Sequence, residues 1–379
     1  MPTRRELLMG GAATAAFGIA SPLLATVREA PSAARRLYER AISIDGLGYL
    51  SSFDPANGPD APLIPRTIAE IRASGLTAVN FTVGSVGNEG NMFEQSVSIL
   101  AFWAGVIARH PDLLLKVDSF ADLQRAKASN RVGVIFGFQD SSMFGTDLGN
   151  VKVFRDLGVR IVQPTYNLRN LAGDGCLEPA NGGLSRFGHQ LVPALNEAKI
   201  VVDLSHAGSR TQLDGIAASN ATPVISHSGC RALVDTPRNT TDEVLRALAN
   251  KGGVFGVYSM PFLRSGGQPR REDLWRHIEH ALNVMGEDHV GLGTDGGIPA
   301  ITDLEAYRGH LRESHERRTQ AGFAAPGESP DVMLIVPDYN NPRRFELLAD
   351  DLLRRGHSTG RVEKIIGGNF ARVFRSVWG

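Results

Sequence analysis

Three residues with metal-binding or acid/base chemistry fall at the ends of three apolar runs. They are His206 closing Ile200-Val-Val-Asp-Leu-Ser-His206, His227 closing Pro223-Val-Ile-Ser-His227, and Asp295 closing His289-Val-Gly-Leu-Gly-Thr-Asp295. Two imidazoles and a carboxylate at the carboxyl ends of separate strands form a donor set that suits one divalent cation and a water activated on it. A lone strand-end histidine is more often a hydrogen-bonded structural group, so the set of three carries the reading. Arg238, in Thr236-Pro-Arg-Asn239, offers a planar guanidinium for a substrate carboxylate or for a loop salt bridge. The Asn- and Gly-bearing loop from Thr165 to Cys176 adds Tyr166, a hydrogen-bond donor for an oxyanion or a packing ring, and Asn167 beside it. Asp203, three residues before His206, is expected to face away or to support the site from behind. His277 and His280, at i and i+3, read as a solvated helix face.

The elements that must position these groups alternate between β-rich apolar runs and amphipathic stretches, the pattern of a parallel sheet covered by helices. Strands are expected at Ile42–Leu47, Thr77–Val83, Gly133–Gln139, Arg160–Thr165, Ile200–Ser205, Pro223–Ser226, Gly253–Tyr258 and His289–Gly293. Eight strands with intervening helices make a (β/α)8 TIM barrel the leading α/β fold, and barrels build their sites at the strand carboxyl ends. A doubly wound sheet would carry a glycine-rich phosphate loop after its first strand, and Asp45-Gly-Leu-Gly48 lacks that spacing. Helix starts are expected at Ser119-Phe-Ala-Asp122 and at Thr240-Thr-Asp-Glu243, both of capping-box type. Arg271–Met285 and Arg361–Val377 read as further helices, and Gly322–Asp338 as a long loop.

The 379 residues carry 40 Lys plus Arg against 40 Asp plus Glu, a balance that gives no support to a polyanionic partner such as nucleic acid. Arg4-Arg5 before an uncharged Gly/Ala-rich stretch is similar to a twin-arginine export signal, with a small-residue cleavage point near Ala25. The expected organisation is therefore a signal over 1–25 and a single barrel domain over 26–379, exported to the periplasm or an equivalent compartment with no membrane span in its mature form. Cys176 and Cys230, the two cysteines, are open to a disulfide or to two free thiols.

Several segments together resemble the membrane dipeptidase (renal dipeptidase-like, peptidase M19) family. They are Gln163-Pro-Thr-Tyr-Asn-Leu-Arg-Asn170, Gly173-Asp-Gly-Cys176, Asp203-Leu-Ser-His206, Ser226-His-Ser228, Pro237-Arg-Asn239 and Gly293-Thr-Asp295. The resemblance implies an amidohydrolase-type (β/α)8 barrel that hydrolyses dipeptides with two zinc ions. It makes His206 and His227 the histidines of one zinc, Asp295 the catalytic aspartate and Arg238 the anchor of the dipeptide carboxylate. Tyr166 stands where many relatives have a substrate-contacting histidine. The family's first-strand His-x-Asp pair is replaced by Leu47 and Tyr49, and its bridging glutamate by Gln139. A neutral glutamine cannot hold two dications together, so one zinc ion is expected, with Asp45 and Asp140 the nearest stand-ins for the lost ligands.

The expected function is a metal-dependent dipeptidase-like hydrolase acting on a dipeptide or related carboxylate-bearing amide. The alternatives are a barrel acting on a lactone or ester and an exported binding protein without catalysis. The family resemblance also makes a homodimer a candidate assembly.

Overall fold

The computed structural model describes residues 32–56, 62–87, 90–322 and 324–379. Eight parallel strands curl into a barrel: β1 (Ile44–Asp45), β2 (Ala78–Thr82), β3 (Val132–Phe138), β4 (Val159–Val162), β5 (Val201–Val202), β6 (Val224–Ser228), β7 (Val254–Val257) and β8 (Val290–Leu292). Hydrogen-bonded ladders join β1 through β5 and β6 through β8. The seams close where Leu204 N donates to Val224 O at 2.8 Å and Gly46 N donates to Leu292 O at 2.8 Å. All eight expected strands are therefore present, each shorter than or within a residue or two of the expected run. The barrel unit extends over Ala33–Gly379, and the export-signal segment lies outside the described residues.

Alternate residues of a strand face opposite sides, and the core divides accordingly. Ile44, Ala78, Ile135, Ile161, Val201, Val224 and Val254 form one cluster with Phe370 and Phe374, which fills the barrel's amino-terminal half. Their neighbours Val79, Val134, Phe136, Val202, Ile225 and Phe255 join the outer cluster under the helices. Phe370 enters the barrel because three strands have no side chain there. A Cβ at Gly46 would stand 2.7 Å from its ring, and one at Gly291 2.6 Å.

The helices differ from expectation in three places. The one helix expected over Arg361–Val377 is broken into Thr359–Glu363 and Asn369–Trp378, because Gly367 runs against the first strand, where a Cβ would meet Ile44 N at 2.4 Å. The helix Asp242–Asn250 is capped by Thr241, whose side chain accepts from Val244 N, while Thr240 pairs with Cys230. The Ser119 start holds, with Asp122 Oδ2 accepting from Ser119 N at 2.8 Å. An unanticipated helix, Leu304–Gln320, precedes the long loop. With Ile301, Phe53 and Ile335 it forms a small core of its own. No helix among the described residues is long and apolar enough to cross a membrane.

Candidate active site

His206 and His227 leave the barrel on adjacent strand ends and bring their rings to 4.9 Å, edge to face. His206 sits at φ 60° and Asp295 at φ 55°, left-handed conformations that cost non-glycine residues energy and cluster at functional sites. Each turns its side chain sharply at the end of a strand instead of continuing the pleat.

Hydrogen bonding fixes both imidazole tautomers. Arg238 Nη2, which can only donate, is 3.3 Å from His206 Nε2, so the His206 proton is on Nδ1, which donates to Asn167 Oδ1 at 2.6 Å. At His227 the support comes from Asp203. Its Oδ2 accepts from Ser226 Oγ at 2.6 Å and from Gln163 Nε2 at 2.9 Å. Ser226 Oγ, having given its proton to Asp203, accepts from His227 Nδ1 at 2.7 Å. The Nε2 lone pair of His227 is left fully buried with no partner. Burial, then the Arg238 charge, hold both imidazoles well below their ordinary pKa, so both are neutral and able to donate lone pairs.

Asp203 thus supports the site from behind, as its position on the strand led one to expect. Asn167, a candidate for substrate contact, is buried and orients His206. Tyr166 stacks on His206 at 4.1 Å, with Arg318 Nη1 donating to its hydroxyl at 3.5 Å. Arg238 is buried, lies 5.6 Å from the Tyr258 ring centroid and has no carboxylate within ion-pair distance among the described residues. The loop salt bridge open to it in the sequence is therefore not made.

The opposite side of the mouth is organised differently. Leu47 is buried, and its carbonyl accepts from Asp295 N at 2.8 Å. Tyr49 reaches across through the short pair Gly48–Tyr49 and Gly296–Gly297, and its hydroxyl donates to Asp295 Oδ1 at 3.4 Å. Gln139 Nε2 donates to that same hydroxyl at 3.3 Å and to Thr82 Oγ1 at 2.8 Å. Burial pushes Asp295 up to about 6, against the opposing pull of Arg238 and Arg318. Burial, then the Asp295 charge, keep the Tyr49 phenol protonated.

The nearest stand-ins for the replaced ligands are committed elsewhere. Asp45 accepts from Thr294 N at 2.7 Å and Thr294 Oγ1 at 2.6 Å. Asp140 Oδ1 accepts from Ser142 N at 2.7 Å and Asn170 Nδ2 at 3.1 Å. No group of three or more His, Cys, Asp or Glu among the described residues has the arrangement of a metal cluster. The donors fit one ion: two neutral imidazoles side by side, one with a buried lone pair that costs energy until something electron-poor meets it. They do not fit a second ion, because Tyr49 and Gln139 fill that side with neutral groups bonded to each other.

Outside the mouth, His277 is buried instead of solvated, accepting from Cys230 N at 2.9 Å, and His280 pairs with Asp242 at 2.7 Å. The two cysteines are free thiols. Sequence reasoning missed Arg318 and Glu328, which bond to each other at 2.9 Å beside Tyr166. Both lie in or after the Leu304–Gln320 helix, whose polar sequence gave no periodic signal.

The barrel thus carries paired imidazoles and an aspartate at its strand ends, where folds of this kind build their sites. The sequence profile of the membrane dipeptidase family (peptidase family M19) matches residues 37–311, and the chain belongs to that family. An amidohydrolase structure from Pseudomonas aeruginosa is 34% identical, with a TM-score of 0.77, covering 91% of this chain and 99% of that one. Dipeptidase verJ of Clonostachys rogersoniana is 29% identical over 274 residues, 72% of this chain but only 62% of verJ. A metallo peptidase from Rhodobacter sphaeroides shares the fold at a TM-score of 0.70 and 19% identity, covering 89% of this chain and all of that one. The chain thus spans under two thirds of the length of most of the named dipeptidases it matches, verJ among them.

Proposed function

We propose that the protein hydrolyses a carboxylate-bearing amide, a dipeptide or a close relative of one, with a single divalent metal held by His206 and His227. The observation that carries this reading is the fully buried, unpartnered Nε2 of His227 beside the His206 lone pair. Zinc is the ion such nitrogen donors suit, and when bound it would lower the pKa of a water and polarise a carbonyl. The chain's own residues supply the rest. Arg238, charged and without a carboxylate partner, seats the substrate carboxylate. Asp295, poised near neutrality, takes a proton and returns it to the leaving amine. Asn167 and the Asp203–Ser226 pair hold the imidazoles in the tautomers that face the mouth.

The twin-arginine segment supports an exported, periplasmic location. Metal analysis of the zinc-exposed, desalted protein tests the site, with one tightly held ion per chain as the expected result. Two ions would overturn the single-metal reading. None would leave a barrel that binds its ligand without hydrolysing it.

A further inference from the structure

We infer that the substrate is an N-acylated amino acid, an amide with a free carboxylate and a blocked amine, in place of a dipeptide with a free ammonium. The inference rests on the hydrolase reading and adds the substrate class. It follows from which carboxylates around the mouth already have their oxygens engaged, one by a cation and two by neutral donors. Glu328 is clamped by Arg318 at 2.9 and 3.0 Å and also accepts from Ala325 N at 3.1 Å. Asp45 is closed by Thr294, and Asp140 by Ser142 and Asn170. Asp295 is the remaining carboxylate, and it has the proton transfer to carry out with Arg238 already acting on it. Among cations, Arg238 has no carboxylate to answer it among the described residues. Among the described residues the mouth therefore has a seat for one anion and no spare carboxylate for an ammonium, which would lie near two guanidiniums.

The side opposite the histidines is neutral. Tyr49 and Gln139 offer a hydroxyl and a carboxamide, and the Tyr49 ring packs edge-on to Phe81 at 6.3 Å, with Trp103 behind at 4.6 Å. Uncharged hydrogen-bonding groups backed by aromatic rings suit an acyl chain and its carbonyl, and they penalise a bare charge. In the reaction the water oxygen bonds to the acyl carbon, the C–N bond breaks, and the proton taken by Asp295 goes to the leaving nitrogen. The products are a carboxylate and a free amino acid.

The test compares N-acetyl-alanine with Ala-Ala, in L and D forms, by kcat/KM and by calorimetric binding to the zinc-loaded protein. The expected result is a preference for the acetylated compounds of about tenfold or more in both. Equal or better use of the free dipeptides overturns the inference and leaves the hydrolase reading standing. Tighter binding of the acetylated compounds with no cleavage of either class keeps the recognition and removes the hydrolysis. Binding of neither class removes both. Gln139→Glu, which adds a carboxylate beside Tyr49, is expected to shift the ratio toward the dipeptides, and an unchanged ratio would count against the charge argument.

Discussion

The two sides of the barrel mouth are built on the same backbone plan and do opposite things. On one side His206 and His227 are each held through Nδ1, by Asn167 and Ser226, so that Nε2 is the acceptor, bare at His227 and met by Arg238 at His206. On the other, Tyr49, Gln139 and Thr82 are bonded among themselves and to Asp295, leaving nothing for a cation. Strand ends supply positions, and side-chain chemistry decides whether a position becomes a ligand or a filler. The contrast sets nitrogen acceptors on one side against neutral hydrogen-bonding groups on the other.

Removing His227 should break that contrast most severely. His227→Ala is expected to take activity to background and the metal content from one ion to none, with the fold kept, since the Asp203–Ser226 pair remains bonded. Retained metal and turnover would refute the single-metal site.

Asp295→Asn comes next, with kcat expected to fall about 10²- to 10⁴-fold, the range for a lost general acid or base. Its effect on stability has the opposite sign. Burial raises the Asp295 carboxyl from its ordinary 3.8 to about 6, so the folded state holds its proton more tightly. Stability is therefore undiminished below about pH 4, falls as pH rises through about 4 to 6, and stays lower above. The side chain keeps some solvent contact, so the asparagine variant is expected to gain only about 1 to 2 kcal/mol at pH 7. Chemical denaturation at pH 4 and pH 7 checks this: the gain should appear at the higher pH alone.

How much of this was open to sequence reasoning depended on whether the signal was local. The strands announced themselves as β-rich runs, and the site histidines and Asp295 fall at run ends that need only the barrel rule to converge. The amide of Asn167 faces His206, a partner that a loop sequence does not name. Asp45 and Asp140 are the nearest replacement carboxylates in the sequence, and strand alternation already turns Asp140 away, but their partners Thr294 and Ser142 are not legible there. Arg318 and Glu328 were invisible, one on a polar helix without a periodic apolar face and the other in the loop that follows it. The break at Gly367 depends on a close approach to Ile44 from the other end of the chain, which no local pattern encodes.

Arg238→Met tests the anion seat between the two sides. Loss of a charge-assisted pair worth about 1.5 to 3 kcal/mol predicts a ten- to hundredfold fall in kcat/KM, carried mainly by KM. Arg238 also lowers the Asp295 pKa, so the acid limb of the pH profile should move upward in the same variant. A change in KM without a moved limb would separate substrate binding from the electrostatics of the aspartate.

The smallest effect is expected from Tyr49→Phe, on the neutral side. The hydroxyl makes one long bond to Asp295, at 3.4 Å, and its ring packing on Phe81 survives the change. A neutral bond of that length contributes about 1 kcal/mol or less, so kcat should fall by less than about tenfold. The acid limb should rise slightly, because the hydroxyl stabilises the ionised aspartate. Metal content should stay at one ion per chain, since Tyr49 touches neither histidine support. A loss as large as that of His227→Ala would mean that the neutral side carries chemistry equal to the metal side, and the division of labour across the mouth would have to be redrawn.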